Sequence, residues 1–280
     1  MRNRNFDEDL HILYLIPTPI GNLEEMNPRA INILKSVSSI GCEDTRVSKQ
    51  LLTNFGINNK LISCHEHNEE MASEELLKYL ETGNIAYVSD AGYPGISDPG
   101  HRLVVKALEN GFKVSVISGP NAMLNALVGS GLDTSHFYFH GFLASKQSAR
   151  LKELEDLKHK KETMIFYESP HRIADTLKDL RDVLGNRKAC IARELTKRFE
   201  EFIREDLNTL ASLDPNTLKG EMVIVVDGEK EDKQISFNVV LSYAKELIKN
   251  GVNTKLAAKL ASEKYNVSKN VIYNAIIKGE

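Results

Sequence analysis

Residues Ile85 to Gly100, IAYVSDAGYPGISDPG, constrain this chain more than any other stretch. The four apolar residues Ile85 to Val88 predict a short buried strand. Asp98-Pro99-Gly100 then lead into the amphipathic run His101 to Leu108. Asp98 is expected to be the N-cap of that helix, with Pro99 in the first turn, where a proline loses no hydrogen bond. Strand, glycine-rich loop and helix in this order are the repeating unit of a parallel sheet, and such a loop brings bare backbone to a ligand at the carboxyl strand ends. The loop carries Asp90 and Asp98 but no lysine, and the chain has no G-x-x-x-x-G-K-[ST]. A neutral or cationic ligand suits it better than a phosphate.

The same unit recurs through the first half. Ile12 to Ile16 is a strand running into Pro17-Thr18-Pro19-Ile20-Gly21-Asn22, where two prolines end ladder pairing and leave carbonyls free. Asn27-Pro28 opens a helix. A weak strand at Ser39 to Gly41 delivers Cys42-Glu43-Asp44-Thr45-Arg46 to a turn, and Leu61 to Cys64 precedes the helix Met71 to Glu81. Lys113 to Ile117 is a strand that ends at Ser118-Gly119-Pro120-Asn121, ahead of a helix from Ala122. Five repeats with short connections predict a mostly parallel sheet covered on both faces. Its ligand is expected where residues 17–22, 43–46, 89–98 and 118–122 gather.

From about residue 119 the texture changes. Strands at Phe137 to Phe139, Thr163 to Tyr167, Ala189 to Ala192 and Met222 to Val226 are joined by a charged helix over Ser145 to Lys158 and a second ending near Leu184. Phe199 to Arg204 is positioned to pair antiparallel, so a mixed sheet is expected. Gly228 to Lys233 reads as a charged linker. Three short helices follow, with Thr254 and Ser268 as caps and a turn at Asn266. Residues 241–280 hold seven lysines against three glutamates on a chain of net charge −3. That local balance is either a nucleic-acid footprint or a solvated lysine-rich cap. The predicted organisation is therefore α/β: an N-terminal domain over 1–118, a second α/β domain over 119–230, and a small helical, helix-turn-helix-like bundle over 231–280.

Several chemistries are excluded or marked down. Three cysteines, Cys42, Cys64 and Cys190, have no C-x-x-C spacing, so neither a disulfide framework nor a zinc site is expected. His65-x-His67 lacks a third ligand nearby, and no metal is predicted. Gly129-Ser130-Gly131 lacks the third glycine of a dinucleotide fingerprint and follows a helix instead of opening one. No serine-nucleophile elbow is present. MRNRNFDEDLH has no apolar leader and no window approaches a membrane span, so a cytoplasmic location without membrane partners is expected.

Six ordered motifs carry a resemblance. They are Leu15-Ile16-Pro17-Thr18-Pro19-Ile20-Gly21-Asn22-Leu23, Glu43-Asp44-Thr45-Arg46, Ser89 to Gly100, Phe166-Tyr167-Glu168-Ser169-Pro170-His171-Arg172, Arg193-Glu194-Leu195-Thr196-Lys197 and Lys219-Gly220-Glu221-Met222. In this order they closely resemble the branch of the tetrapyrrole methylase family that methylates a cytidine ribose 2′-hydroxyl in bacterial small-subunit (16S) ribosomal RNA. The resemblance spans about Leu13 to Gly228. It implies a two-domain fold of that family, S-adenosylmethionine as cofactor, ribosomal RNA or the assembled small subunit as partner, and a homodimer.

By that resemblance the cofactor contacts fall at Pro17, Ser89, Asp90, Ala91, Gly92, Ile96, Ser118, Gly119, Pro120, Asn121, Ala122, Tyr167 and Met222. Tyr93 and Asn121 depart from the branch, which usually has threonine and a small residue there. A 2′-hydroxyl must lose its proton as it attacks, and Glu43 and Asp44 are the first candidates for the base. Arg46 completes that candidate catalytic group, and with Arg172, Arg193 and Lys197 it is expected to grip RNA phosphates. Two alternatives stay open: a sister enzyme methylating a porphyrinogen or precorrin, and a nucleic-acid-binding regulator without catalysis.

Overall fold

A computed structural model describes residues 11–230, 237–265 and 267–278. The chain divides into two compact units, one through Glu229 and one from Lys230. Residues 231–233 of the expected linker and the turn at Asn266 lie outside the described residues.

The first unit contains two five-stranded sheets. Sheet one comprises β1 (Ile12–Ile16), β2 (Ser39–Cys42), β3 (Lys60–Ser63), β4 (Ile85–Val88) and β5 (Lys113–Val116). Its strand order is β3-β2-β4-β1-β5, with every pairing parallel. The helices between them are α1 (Pro28–Ser36), α2 (Thr45–Asn54), α3 (Glu69–Leu80) and α4 (His101–Glu109). Alternation along the strands sorts the core into two faces. Ile16, Ile40, Ala86 and Val88 pack with Leu34 of α1 and Leu52 of α2, and Leu13, Leu15, Ile85 and Tyr87 pack with Leu76 of α3 and Leu103 of α4. The glycine inside β2 has a packing reason. A Cβ on Gly41 would stand 2.7 Å from the Tyr87 ring and 2.8 Å from Leu76.

Sheet two comprises β6 (Phe137–Phe142), β7 (Thr163–Glu168), β8 (Lys188–Arg193), β9 (Glu201–Asp206) and β10 (Met222–Val226). Its order is β6-β7-β10-β8-β9, and only β6 and β7 run parallel. All five residues of β10, the sequence MVIVV, are buried. Each valine or isoleucine there contributes about 1.5–3 kcal/mol by leaving water. One face of the sheet packs on α6 (Gln147–Leu157), α7 (Ile173–Leu184) and the single turn α8 (Leu207–Leu210). Arg150 and Asp179 are almost wholly buried between α6 and α7 and bond at 2.7 Å. The other face carries α5 (Ala122–Ser130), whose Ala126 and Leu127 pack with Ile165, Cys190, Ala192, Val223 and Val225.

The second unit is α9 (Phe237–Lys249), α10 (Thr254–Tyr265) and α11 (Lys269–Lys278) around Val240, Leu241, Ala244, Ala258, Ala261 and Ile272. No helix among the described residues is long and apolar enough to cross a membrane.

Candidate active site

The loops at the carboxyl ends of sheet one are joined to each other by backbone and side-chain bonds. The Thr18 carbonyl, expected to be free between its two prolines, is not: Thr18 and Gly92 form an antiparallel bridge and exchange two backbone hydrogen bonds of 3.0 Å. Thr18 Oγ1 donates to the Ser89 carbonyl, and Ser89 Oγ donates to the Gly92 carbonyl. The Asp44 N–H donates to Asp90 Oδ1, and the Gly119 N–H donates to the Tyr93 hydroxyl. A Cβ on Gly119 would approach Pro17 to 2.8 Å. The two departures from the branch pattern thus have local work. Tyr93 ties the 89–100 loop to residue 119, and Asn121 caps α5 by accepting from the Leu124 N–H.

These loops form one wall of a cleft of about 330 Å³, at the small end of ligand sites. Ile20, Ala91, Gly92, Tyr93, Ile96, Ser97 and Asp98 line it from sheet one. Phe142, Tyr167, Ala192, Leu195, Met222 and Val223 line it from sheet two, with Asn121 and Ala122 at the start of α5. Of the expected cofactor contacts, Ala91, Gly92, Ile96, Asn121, Ala122, Tyr167 and Met222 border the cleft. Pro17, Ser89, Asp90, Ser118, Gly119 and Pro120 stand outside its lining, and the bonds of Ser89, Asp90 and Gly119 and the packing of Pro17 on Gly119 shape the wall. Gly92 lies at φ 77°, and a Cβ there would meet only Ile20, at 3.5 Å. The backbone at this point is therefore bare toward the cavity.

The helix cap differs from expectation. α4 begins at His101 with Gly100 as its N-cap residue, and Pro99 precedes the helix. The cap side chain comes from α3, where Glu69 Oε1 accepts from the N–H groups of Gly100 (2.9 Å) and Arg102 (3.1 Å). Gly100, at φ 127°, turns the chain so tightly that a Cβ would sit 2.9 Å from the Tyr87 ring. That turn carries Asp98 away from the helix end and into the cleft lining. Sequence spacing missed this because the capping carboxylate lies about thirty residues earlier in the chain.

The carboxylates divide sharply. Burial pushes Asp98 up to about 6, with Glu43 and Asp90 adding like-charge repulsion. Burial also raises Glu43, reinforced by Asp90, and raises Asp90 itself. Asp44 behaves in the opposite way. It caps α2 by accepting from the Arg46 N–H and takes two bonds from the Arg46 guanidinium, which hold it down at about 2. Among the described residues no hydrogen-bond donor is recorded for the Asp98 carboxylate. An unneutralised acid group at a half-apolar cleft favours a ligand that brings positive charge.

The expected phosphate-gripping cations are placed unequally. The Arg46 side chain is 89% exposed, beside Lys49 on a second concavity along α2. Arg172 donates to the carbonyls of Leu143 and Ala144 and to Ser145 Oγ, fastening the end of β6 to α7. Arg193 bonds Glu201 and the Lys219 carbonyl. Lys197 bridges Glu194 and Glu221, and its stem fills the space that a Cβ on Gly21 would need.

The cleft's contents match S-adenosylmethionine: bare backbone at Gly92, apolar walls at Ile20, Leu195, Met222 and Val223, and acid without a phosphate-binding cation in the lining. Among the described residues no group of three or more His, Cys, Asp or Glu is placed to hold a metal.

Residues 12–211 match the family model of the tetrapyrrole (corrin/porphyrin) methylases. The chain is 42% identical to Ribosomal RNA small subunit methyltransferase I of Bacillus subtilis, over 97% of this chain and 96% of that one. It is 45% identical to the protein of the same name in Halalkalibacterium halodurans, over 95% of each, and 40% identical to that of Escherichia coli O157:H7, over 97% and 96%. Among solved structures, a cobalt precorrin-4 methyltransferase superposes with a TM-score of 0.57 at 16% identity, covering 78% of this chain and 95% of that one. A diphthine synthase gives 0.58 at 13%, covering 78% and 90%. At such identities these two similarities speak for the fold alone.

Proposed function

This chain belongs to the tetrapyrrole methylase family and is an S-adenosylmethionine-dependent methyltransferase, and from that premise we propose that it methylates the 2′-hydroxyl of a cytidine ribose in small-subunit ribosomal RNA. The observation that carries the reading is near-full-length similarity to curated ribosomal RNA methyltransferases, at 40–45% identity over both units. The cleft adds chemical support, because it offers an unpaired carboxylate where a hydroxyl nucleophile needs a proton acceptor.

Bound S-adenosylmethionine supplies a methyl group on a positively charged sulfur. The protein's own residues do the rest. Gly92, Ile96, Asn121 and Ala122 would hold the cofactor's polar ends by backbone, with Ile20, Leu195, Met222 and Val223 around its apolar parts. Orientation of the reacting partners in a fixed cleft can contribute roughly 7–11 kcal/mol. Asp98 takes the hydroxyl proton in this reading, and Glu43 stands behind it as the second acid that raises its basicity. Asp44 is suited to positioning Arg46, since a carboxylate held at about 2 is a weak base. Arg46 and Lys49 reach solvent along α2 and are the cations best placed to meet phosphate. Arg172, Arg193 and Lys197 serve the RNA indirectly, by holding the loops of sheet two.

The assembled small subunit or ribosomal RNA is the proposed partner, in the cytoplasm. The helical unit adds basic surface through Lys255, Lys259, Lys269 and neighbours. A homodimer is the proposed assembly. α5 is apolar on more than its buried side, with Val128 76% exposed and Leu124 also open, the pattern of a helix that meets a partner.

Methyl transfer from labelled S-adenosylmethionine to purified small subunits, free ribosomal RNA and a porphyrinogen tests the reading. Label on a ribose 2′-oxygen of a cytidine supports it. Label on the porphyrinogen alone, or on no RNA, overturns it. Sedimentation of Val128→Asp tests the dimer, with monomers expected.

A further inference from the structure

Strand β6 contains one residue too many. Phe137, Tyr138 and Phe139 pair with Thr163, Met164 and Ile165, but the next pairings are Gly141 with Phe166 and Phe142 with Tyr167. His140 is the extra residue, and Gly141 at φ 83° completes the bulge. A one-residue insertion turns every later side chain to the opposite face. Without it Phe142 would share a face with Tyr138 and point toward α6 and α7. With it, Phe142 joins the face of Phe139 and Tyr167, which opens onto the cleft.

The result is a cross-strand row along the cleft floor. Phe142 pairs with Tyr167, Tyr167 with Val223, and Val223 with Ala192. All four line the cavity. Exposure falls steadily along it: Phe142 is 55% exposed, Tyr167 is partly buried, and Val223 and Ala192 are 4% and 0% exposed. The Phe142 and Tyr167 rings meet edge to face at 5.5 Å, so the Phe142 ring is braced on one edge. At the open end the opposite wall is close, since a Cβ on Gly141 would come within 3.5 Å of Ser97 Oγ. A braced aromatic ring turned to solvent by a bulge at the mouth of a cleft offers a flat apolar face to what enters there.

We propose that Phe142 is a stacking platform for the unpaired nucleobase of the nucleotide whose ribose enters the cleft. This inference rests on the RNA reading above and gives it a contact. A ribose inside a helix cannot reach a recessed methyl donor, so the nucleotide must leave its stack, and aromatic side chains replace the stacking that it loses. The outer position of Phe142 in the row assigns it to a polymer arriving from solvent. The buried end is left to the small molecule that sits deeper.

The test is Phe142→Ala, with Phe142→Tyr and Phe142→Trp beside it. Base-aromatic stacking accounts for about fivefold in affinity at the lower end of its range, and about tenfold lies well within it. The alanine variant is expected to bind S-adenosylmethionine with wild-type affinity by calorimetry and to raise the KM for small subunits by about tenfold. The aromatic variants should restore it. A readout without turnover uses ribosomal RNA carrying 5-iodocytidine, irradiated with the wild-type protein in the presence of S-adenosylhomocysteine. A crosslinked peptide containing Phe142 is expected. Lost cofactor affinity in Phe142→Ala would assign the ring to the adenine instead. Dissociation to monomers would assign it to a subunit contact. An unchanged KM with no crosslink would remove the platform. Failure of the wild-type protein to methylate any RNA is a separate result, which overturns the RNA reading itself.

Discussion

The loop 89–100 after β4 and the segment 193–200 between β8 and β9 both hold non-glycine residues at positive φ. Ser97 lies at 61° in the first, and Glu194 and Thr196 lie at 51° and 67° in the second. Both reach the same cleft, through Asp98 and Leu195. They treat charge in opposite ways. In the second segment Arg193 meets Glu201, Lys197 meets Glu194 and Glu221, and Glu200 accepts from the Thr196 N–H. In the first loop Asp98 stays without a recorded donor, and Asp90 takes only the Asp44 N–H. Strained backbone persists where its surroundings over-determine it. Charged side chains do that for 193–200, whereas in 89–100 the backbone bridge to Thr18, the hydroxyls of Thr18, Ser89 and Tyr93 and the Glu69 carboxylate do it and leave Asp98 for a ligand. Paired charge thus holds the shape of 193–200, and the unpaired Asp98 is the group that the proposed function puts to use in 89–100.

Asp98→Asn should break this contrast most severely. Loss of a positioned base costs about 10²- to 10⁴-fold in rate, so kcat for methyl transfer should fall within that span while the protein stays folded. The sign of the pH dependence follows from the raised value. Asp98 is protonated, and idle as a base, below about 6, and it becomes competent above. In the wild type kcat/KM should rise through that region, and in Asp98→Asn the rise should vanish. A wild-type rate in Asp98→Asn would shift the role to Glu43.

Gly92→Val comes next. Valine pays about 1–2 kcal/mol to sit at left-handed φ, and its side chain would enter the cavity. S-adenosylmethionine affinity by calorimetry should drop sharply, with circular dichroism unchanged. Wild-type affinity in the folded variant would remove this loop from the cofactor site.

Arg46→Ala and Arg193→Ala should separate an exposed cation from one tied within its sheet. Arg46 is exposed on α2 with its guanidinium resting on Asp44, so in the proposed function its loss should weaken RNA binding a few-fold and flatten the salt dependence by about one unit. Arg193 is tied within its own sheet, so its loss should leave the salt slope alone and lower the Tm by about 2–4 °C, as expected for about 1 kcal/mol in a domain of this size. Equal salt slopes in both variants would erase the distinction.

Ending the chain at Glu229 should have the smallest effect on the cleft. The shortened protein should fold, keep the oligomeric state of the full chain and bind S-adenosylmethionine normally. Its loss should appear as weaker RNA affinity at low salt, where lysine-phosphate contacts count most. Monomers, or lost cofactor binding, would make the helical unit architectural.

The strands and helices were legible along the chain, because alternating apolar residues and punctuating glycines and prolines act within a few positions of one another. The parallel first sheet, the mixed second sheet and the three terminal helices all follow from that local pattern. It also singled out the loop 89–100, and its motif order pointed to the family. Tertiary structure decided which side chains at those loops are free. Asp98 read as a cap, until Glu69 arrived from α3 to do the capping and left it in the cleft. Asp44 and Glu43 looked alike, until Arg46 folded back on one and burial raised the other. Phe142 was one more apolar residue beyond the end of an expected strand, until a single extra residue at His140 turned it outward. Local propensity acts between neighbours in sequence, whereas the charge and exposure of a site depend on which distant groups fold against it.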